Sequence, residues 1–357
     1  MLEIKEFIDK ATGNKFNAIG KKGQNTTHFY YTNMVWYNDS RHILVCTGVK
    51  KTDNFCSYKL SCNYVLVDTQ TGENTVVAEN VPSQCALVAS DNWIYYYLDN
   101  ELIGVKPVTF EKKLIAKSPE GTTFDGQLSI TNDAKIISFC IKKGETYTVS
   151  AIDVETGKIN EIVTPNFEPP LNIVSHPMIN PEHKNTIFYA HEGATHLISD
   201  RIWTADCETG EAVNLYKQSV DSDGRLMEYL GHEMWAKDGE RLYFVRYIAS
   251  PAKPAGVYFV SRDGKESGFV NGDYYYWHVA ASPDGRLLAA DTFEADELNT
   301  IAVIDIETKE SRLICNTKRW IYHPGHPHPS FSPNGRMLNF TFADEDDELW
   351  VGYYKLD

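Results

Sequence analysis

Hydrophobic residues along this chain come in short runs that follow tight turns. Ser282-Pro283-Asp284-Gly285-Arg286 stands before Leu287-Leu288-Ala289-Ala290, and Ser332-Pro333-Asn334-Gly335-Arg336 before Met337-Leu338-Asn339-Phe340. Asp-Gly and Asn-Gly supply the left-handed conformations that hairpin turns need, so each unit predicts a turn leading into a strand. Weaker copies occur at Asn38-Asp39-Ser40-Arg41, Ser90-Asp91-Asn92, Thr131-Asn132-Asp133-Ala134, Asn180-Pro181-Glu182-His183 and Lys237-Asp238-Gly239-Glu240. The turns recur roughly every 40 to 56 residues, the period of a four-stranded propeller blade.

A second turn closes most units: Thr71-Gly72, Thr156-Gly157, Thr209-Gly210, Asp263-Gly264 and Thr308-Lys309, each behind an alternating strand such as Thr300-Ile301-Ala302-Val303-Ile304-Asp305. It marks the hairpin between strands three and four. An orphan copy, Ala11-Thr12-Gly13-Asn14, precedes Lys15-Phe16-Asn17-Ala18-Ile19, while the last unit ends after its third strand. The predicted fold is therefore all-β: a single seven-bladed β-propeller domain over residues 1–357, with the N-terminal strand completing the last blade and removing two exposed sheet edges. No Pro/Gly/Ser-rich linker divides it.

Composition narrows the function classes. A net charge of -15 opposes binding to nucleic acid and to anionic membranes, and an acidic substrate would need locally placed cations. Met1-Leu2-Glu3-Ile4-Lys5-Glu6 lacks the basic and then apolar run of a secretory signal, and no apolar stretch reaches the ~20 residues of a membrane span. The seven cysteines include no Cys-x-x-Cys pair, which points to reduced thiols. The expected location is cytoplasmic. No Ser-His-Asp order, phosphate-cradling glycine loop or Cys/His zinc spacing stands out.

Counting six residues back from the centre of each turn gives Asn33, Cys85, Gln127, His176, His232, His278 and His328. Innermost blade strands run around one channel, so equivalent positions converge on one rim, and four consecutive blades place histidine there. A satisfied histidine bonded to a neighbouring backbone is the plain reading of any one alone. The last blade adds His323 and His326 in His323-Pro324-Gly325-His326-Pro327-His328-Pro329; in an extended segment His326 and His328 share a face, and the prolines suppress helix. Several imidazoles suit Mn²⁺, Fe²⁺, Ni²⁺ or Zn²⁺, which makes His278, His323, His326 and His328 the candidate ligands of a divalent metal. A second dense segment runs from His191-Glu192-Gly193 through His196 to Asp200-Arg201-Ile202-Trp203. Arg201 followed by Trp203 fits a strand that presents a cation and an aromatic ring to an anionic sugar, and a surface salt bridge fits Arg201 equally well.

At these residues the chain resembles the oligogalacturonate lyases, a polysaccharide-lyase family with a seven-bladed propeller. The similar stretches are His28-Phe29-Tyr30-Tyr31, His176-Pro177, His191-Glu192-Gly193 to Trp203, His232-Glu233 with Trp235, the His278 strand and His326-Pro327-His328-Pro329-Ser330-Phe331. The resemblance implies manganese held by three histidines, here His278, His326 and His328, with His323 standing where the family has glutamine. It implies His232 as the general base, Arg201 as the group that stabilises charge, and His176, His191, His196 and Trp203 as contacts of a uronate-containing oligosaccharide. The implied activity is β-elimination at a 4-linked uronate, as in pectin degradation. A lyase for a rhamnose-glucuronate or ulvan fragment, and a non-catalytic binding propeller, remain open at this point.

Overall fold

A computed structural model describes residues 1–50, 60–83, 85–109, 111–292, 298–318 and 324–356; candidate ligand His323, like Cys56, lies outside them. The described residues form strands and turns and contain no helix. Five four-stranded antiparallel sheets comprise β3(Thr26–Thr27) to β6(Asn74–Pro82), β7(Ala86–Val88) to β10(Glu111–Lys117), β11(Thr123–Ile130) to β14(Ile159–Val163), β15(Ile173–Ile179) to β18(Ala212–Tyr216), and β19(Leu230–Trp235) to β22(Ser267–Asn271). A sixth, nine-stranded sheet joins β23(Tyr276–Ala281), β24(Leu287–Thr292), β25(Leu298–Asp305) and β26(Ser311–Lys318) to β27(Ser330–Phe331), β28(Met337–Ala343), β29(Leu349–Lys355), β2(Lys15–Gly20) and β1(Glu3–Ile8). Among the described residues, that junction rests on one pair, Lys318 with Ala343.

The chain divides into two compact units. One comprises Met1–Tyr95, Val105–Lys112 and Trp277–Asp357, the other Tyr96–Gly104 and Lys113–Tyr276. In the first unit β2 pairs with β29 through Asn17 with Tyr353, Ala18 with Gly352 and Ile19 with Val351, so the N-terminal strand does complete the last blade. Beyond it lies β1, a fifth strand that the repeat pattern did not predict, paired with β2 from Glu3 to Ile8. It is held by Phe7, whose ring packs 5.1 Å from Phe342 and 5.7 Å from Trp350. Its Glu3, Lys5 and Glu6 put charge on the outer edge of that sheet, which discourages further strand pairing.

The second unit shows how the weakest predicted turn is made. At Asn180-Pro181-Glu182-His183 no residue takes a left-handed backbone; instead Asn180 Oδ1 accepts the amide N–H of Glu182 and His183. Asn180 Nδ2 also donates to the carbonyl of Gly239, at the next unit's turn. Gly239 has φ +72°, and a Cβ there would stand 2.1 Å from Asn180 Oδ1. Gly239→Ala is expected to destabilise the protein by about 2–4 kcal/mol, from the left-handed penalty plus lost hydrogen bonds. Urea unfolding measures it; a change below about 0.5 kcal/mol would mean that the Asn180 contact carries little energy.

The six-residue count lands within the first strands of their blades at Gln127, His176, His232 and His278, the first three at a break in pairing, and outside the strands at Asn33, Cys85 and His328. Register shifts fall between Asp125 and Ser129, Ser175 and Met178, and Gly231 and Met234. Gly126, His176 and His232 there take φ of +79°, +52° and +57°, and His328 takes +47°. A bulge leaves residues out of the ladder and re-aims their side chains. A non-glycine residue with positive φ stores strain that the surrounding structure has to offset.

Candidate metal centre and arginine cluster

In the first unit the predicted ligands His278, His326 and His328 meet. All three are buried, and their ligand atoms lie within 4.8 Å of one another. Ring centroids are 4.3 Å apart for His278 and His328, and 5.6 Å for each with His326. An ion ~2.1 Å from each nitrogen keeps its ligand atoms within ~4.3 Å of one another, so the trio fits one borderline divalent cation with little adjustment.

Three pieces of chain place these rings. His278 sits in β23, while His326 and His328 lie in the segment entering β27, where Pro324, Pro327 and Pro329 restrict the backbone. The Pro327 carbonyl accepts both the Thr341 amide, at 2.9 Å, and His28 Nε2–H, at 2.8 Å. His28 is fully buried, and that burial pushes its imidazole down to about 4, so it is neutral. Tyr30 and Tyr31 wall the trio, with Tyr30 4.9 Å from His328 and Tyr31 5.2 Å from His278.

Asp291, in β24, was not singled out from the sequence. Its buried carboxylate accepts His278 N–H (2.8 Å) and His328 N–H (3.1 Å), and its two oxygens lie 2.9 and 3.0 Å from His278 Nδ1. Burial pushes this carboxyl up to about 7, against the lowering effect of the His278 amide, the charge of His326 and the His328 amide. The signal available in the sequence was an aspartate on the otherwise apolar run Leu287-Leu288-Ala289-Ala290.

In the second unit Arg201 is buried between two carboxylates. Nε and Nη2 donate to Glu233 at 2.5 and 3.3 Å, and Nη1 and Nη2 to Glu192 at 2.9 and 3.1 Å. Four of the five guanidinium N–H groups are thereby engaged with two anions, which is not the surface salt bridge of the plain reading. Burial alone would raise Glu192, yet Arg201 and His176 hold it well below the usual carboxylate range; Arg201 is held well above its own by both carboxylates, despite burial. His176 Nε2 lies 3.5 Å from Glu192, and Ser175 Oγ donates to the same oxygen at 2.9 Å. His232 is half-buried beside Glu233 and meets the Tyr247 ring edge-on at 5.7 Å. Tyr247 stands against Gly231, where a Cβ would come within 2.0 Å of its hydroxyl.

The remaining expected contacts are dispersed within this unit. His191 is committed on both ring nitrogens, Nδ1 to Asp200 at 2.7 Å and Nε2 to the Leu171 carbonyl at 2.5 Å, and stacks on Phe167 at 3.6 Å. His196 is exposed on the turn after β16(Thr186–Glu192), 6.3 Å from Tyr229. Trp203, on β17(Ile202–Asp206), is half-buried and donates Nε1–H to the Asp200 carbonyl.

Blades of four antiparallel strands and a buried three-histidine centre braced by an aspartate define the class: an all-β propeller protein with a candidate metal site. The chain is similar to oligogalacturonate lyases. It is 23% identical over 322 residues to an oligogalacturonide lyase of Pectobacterium atrosepticum, covering 78% of this chain and 79% of that one. An oligogalacturonate lyase of Dickeya dadantii is 23% identical over 320 residues, with the same coverage. Among solved structures, an oligogalacturonate lyase in complex with manganese superposes with a TM-score of 0.85 at 18% identity, covering 100% of this chain and 96% of that one. The Vibrio parahaemolyticus oligogalacturonate lyase gives 0.84 at 19% identity, covering 100% and 97%. These likenesses bear out the resemblance and the fold class read from the sequence. No protein-family model matches the chain.

Proposed function

We propose that the protein is a metal-dependent lyase that cleaves 4-linked uronate oligosaccharides, with oligogalacturonate as the first substrate to test. The observation that carries this reading is the buried trio His278, His326 and His328, in a chain similar over most of its length to named oligogalacturonide lyases. His278, His326 and His328 would hold a divalent ion, manganese in the first instance, which would supply Lewis-acid charge to a uronate carboxylate and so make the adjacent C5 hydrogen more acidic.

The chain's own residues account for the proton. His232, as a neutral imidazole, takes the C5 proton as general base; the electron pair of the C5–H bond becomes the C4–C5 double bond of the product, while the C4–oxygen bond breaks with its electrons going to the departing sugar oxygen, which takes up a proton from solvent to become a hydroxyl. Arg201 stabilises the charge that develops. With four donors engaged, it reaches an incoming carboxylate by exchange with Glu192, the more exposed of its two partners. His176 steadies Glu192 during that exchange, His191 braces the loop that carries Asp200, and His196 and Trp203 contact the sugar chain.

The test is absorbance of the new double bond on incubation with oligogalacturonates, glucuronate-containing oligosaccharides and ulvan fragments. Expected is a steady rise with one uronate class that disappears with a chelator and returns with Mn²⁺. Silence across the panel in the presence of Mn²⁺ overturns the reading.

A further inference from the structure

The three histidines reach the centre from two places in the chain, β23 and the entry to β27, and a single carboxylate touches both. Asp291 accepts the main-chain N–H of His278 on one oxygen and that of His328 on the other, and both oxygens lie within 3.0 Å of His278 Nδ1. Its side chain is 1% exposed, as deeply buried as the rings it serves.

We propose that Asp291 is the positioning residue of this centre: it fixes the proton of His278 on Nδ1, so that Nε2 is the ligating nitrogen, and pins His328 in its left-handed backbone. The proposal rests on the reading of the trio as a metal centre. Two physical points support it. First, a carboxylate only accepts, so the ring nitrogen facing it carries the proton, and the other nitrogen keeps its lone pair for a cation. Second, His328 has φ +47°, a conformation that costs a β-branched or aromatic side chain about 1–2 kcal/mol, and its N–H is turned to Asp291 rather than to a neighbouring strand. A group that served only as a backbone cap would not need both oxygens on the His278 ring.

Asparagine is the discriminating replacement, because it matches the shape of aspartate but accepts on one atom only. Either orientation of the amide sets its NH₂ against a main-chain N–H, and the NH₂ also favours the His278 tautomer with the proton on Nε2, where it blocks ligation. Asp291→Asn is therefore expected to weaken Mn²⁺ binding by about 10- to 100-fold, the usual cost of losing a partner behind a metal ligand. Titration calorimetry with MnCl₂ reads this, beside circular dichroism to confirm that the variant is folded.

A second measurement needs no Asp291 variant. In metal-free wild-type protein labelled with ¹⁵N-histidine, the His278 signal, assigned by its loss in His278→Asn, should show protonated Nδ1 and unprotonated Nε2 at pH 8. An Nε2–H tautomer, or Mn²⁺ affinity in a folded Asp291→Asn variant within twofold of wild type, overturns the proposal. If the wild type binds no Mn²⁺, the metal reading fails by itself, and the tautomer still decides whether Asp291 orients His278.

Discussion

Replacing His232 with asparagine is expected to lower the rate of double-bond formation at least about 100-fold while leaving the fold intact, because general-base catalysis contributes about 10²–10⁴-fold. The choice of residue follows from the backbone. His232 has φ +57° at a bulge in β19, and asparagine tolerates that conformation better than alanine, which would add strain to the loss of the imidazole. Initial rates at saturating oligogalacturonate and Mn²⁺, with thermal unfolding as the control, give the answer. A His232→Asn variant that keeps a tenth or more of the wild-type rate assigns proton abstraction to another group.

Arg201→Met is expected to be among the most damaging single changes to stability, at about 3–5 kcal/mol near neutral pH. Methionine fills much of the space, but Glu233 is 1% exposed and Glu192 is largely covered, so two carboxylates lose the cation between them. The sign of the pH dependence follows from Glu192. In the wild type it is held well below its ordinary value, so it contributes stability above about pH 4.3, and that contribution fades as the pH falls through its folded-state value. In the variant burial raises Glu192 with no arginine to oppose it, which favours its protonated folded form. The gap between wild type and variant should therefore narrow on going from pH 7 to pH 4 in urea unfolding. An equal gap at both values would show that packing, not charge, sets the cost.

What the chain revealed in advance was what depends on neighbours in sequence. Turn chemistry is local, and Gly239, Gly285 and Gly335 take the left-handed φ that Asp-Gly and Asn-Gly predict. Counting from those turns put His278 and His328 in reach of each other, because blades repeat and the count is measured from a fixed point. The bulge was not legible: alternation of side chains reports which face a strand buries, not where its ladder breaks, and the register shifts and the φ values at His176 and His232 disclose it. Asp291 was missed, and Glu233 given no role, for a related reason, since each acts on a residue 13 or more positions away, His278 and Arg201. Nothing adjacent to either carboxylate in sequence names its partner. β1 escaped because half of Glu3–Ile8 is charged and Phe7 is its one aromatic residue.

The pairing of β2 with β29 also bears on synthesis. Asn17 leaves the ribosome over three hundred residues before its partner Tyr353, and at ~5–20 residues per second that separation is roughly 20–70 s. Through that interval Lys15–Gly20 has no β29 to pair with, although Phe16 and Ala18 are destined for the interior. The newborn chain thus carries an open strand for most of its translation, and chaperone demand should scale with elongation time rather than with the stability of the finished fold.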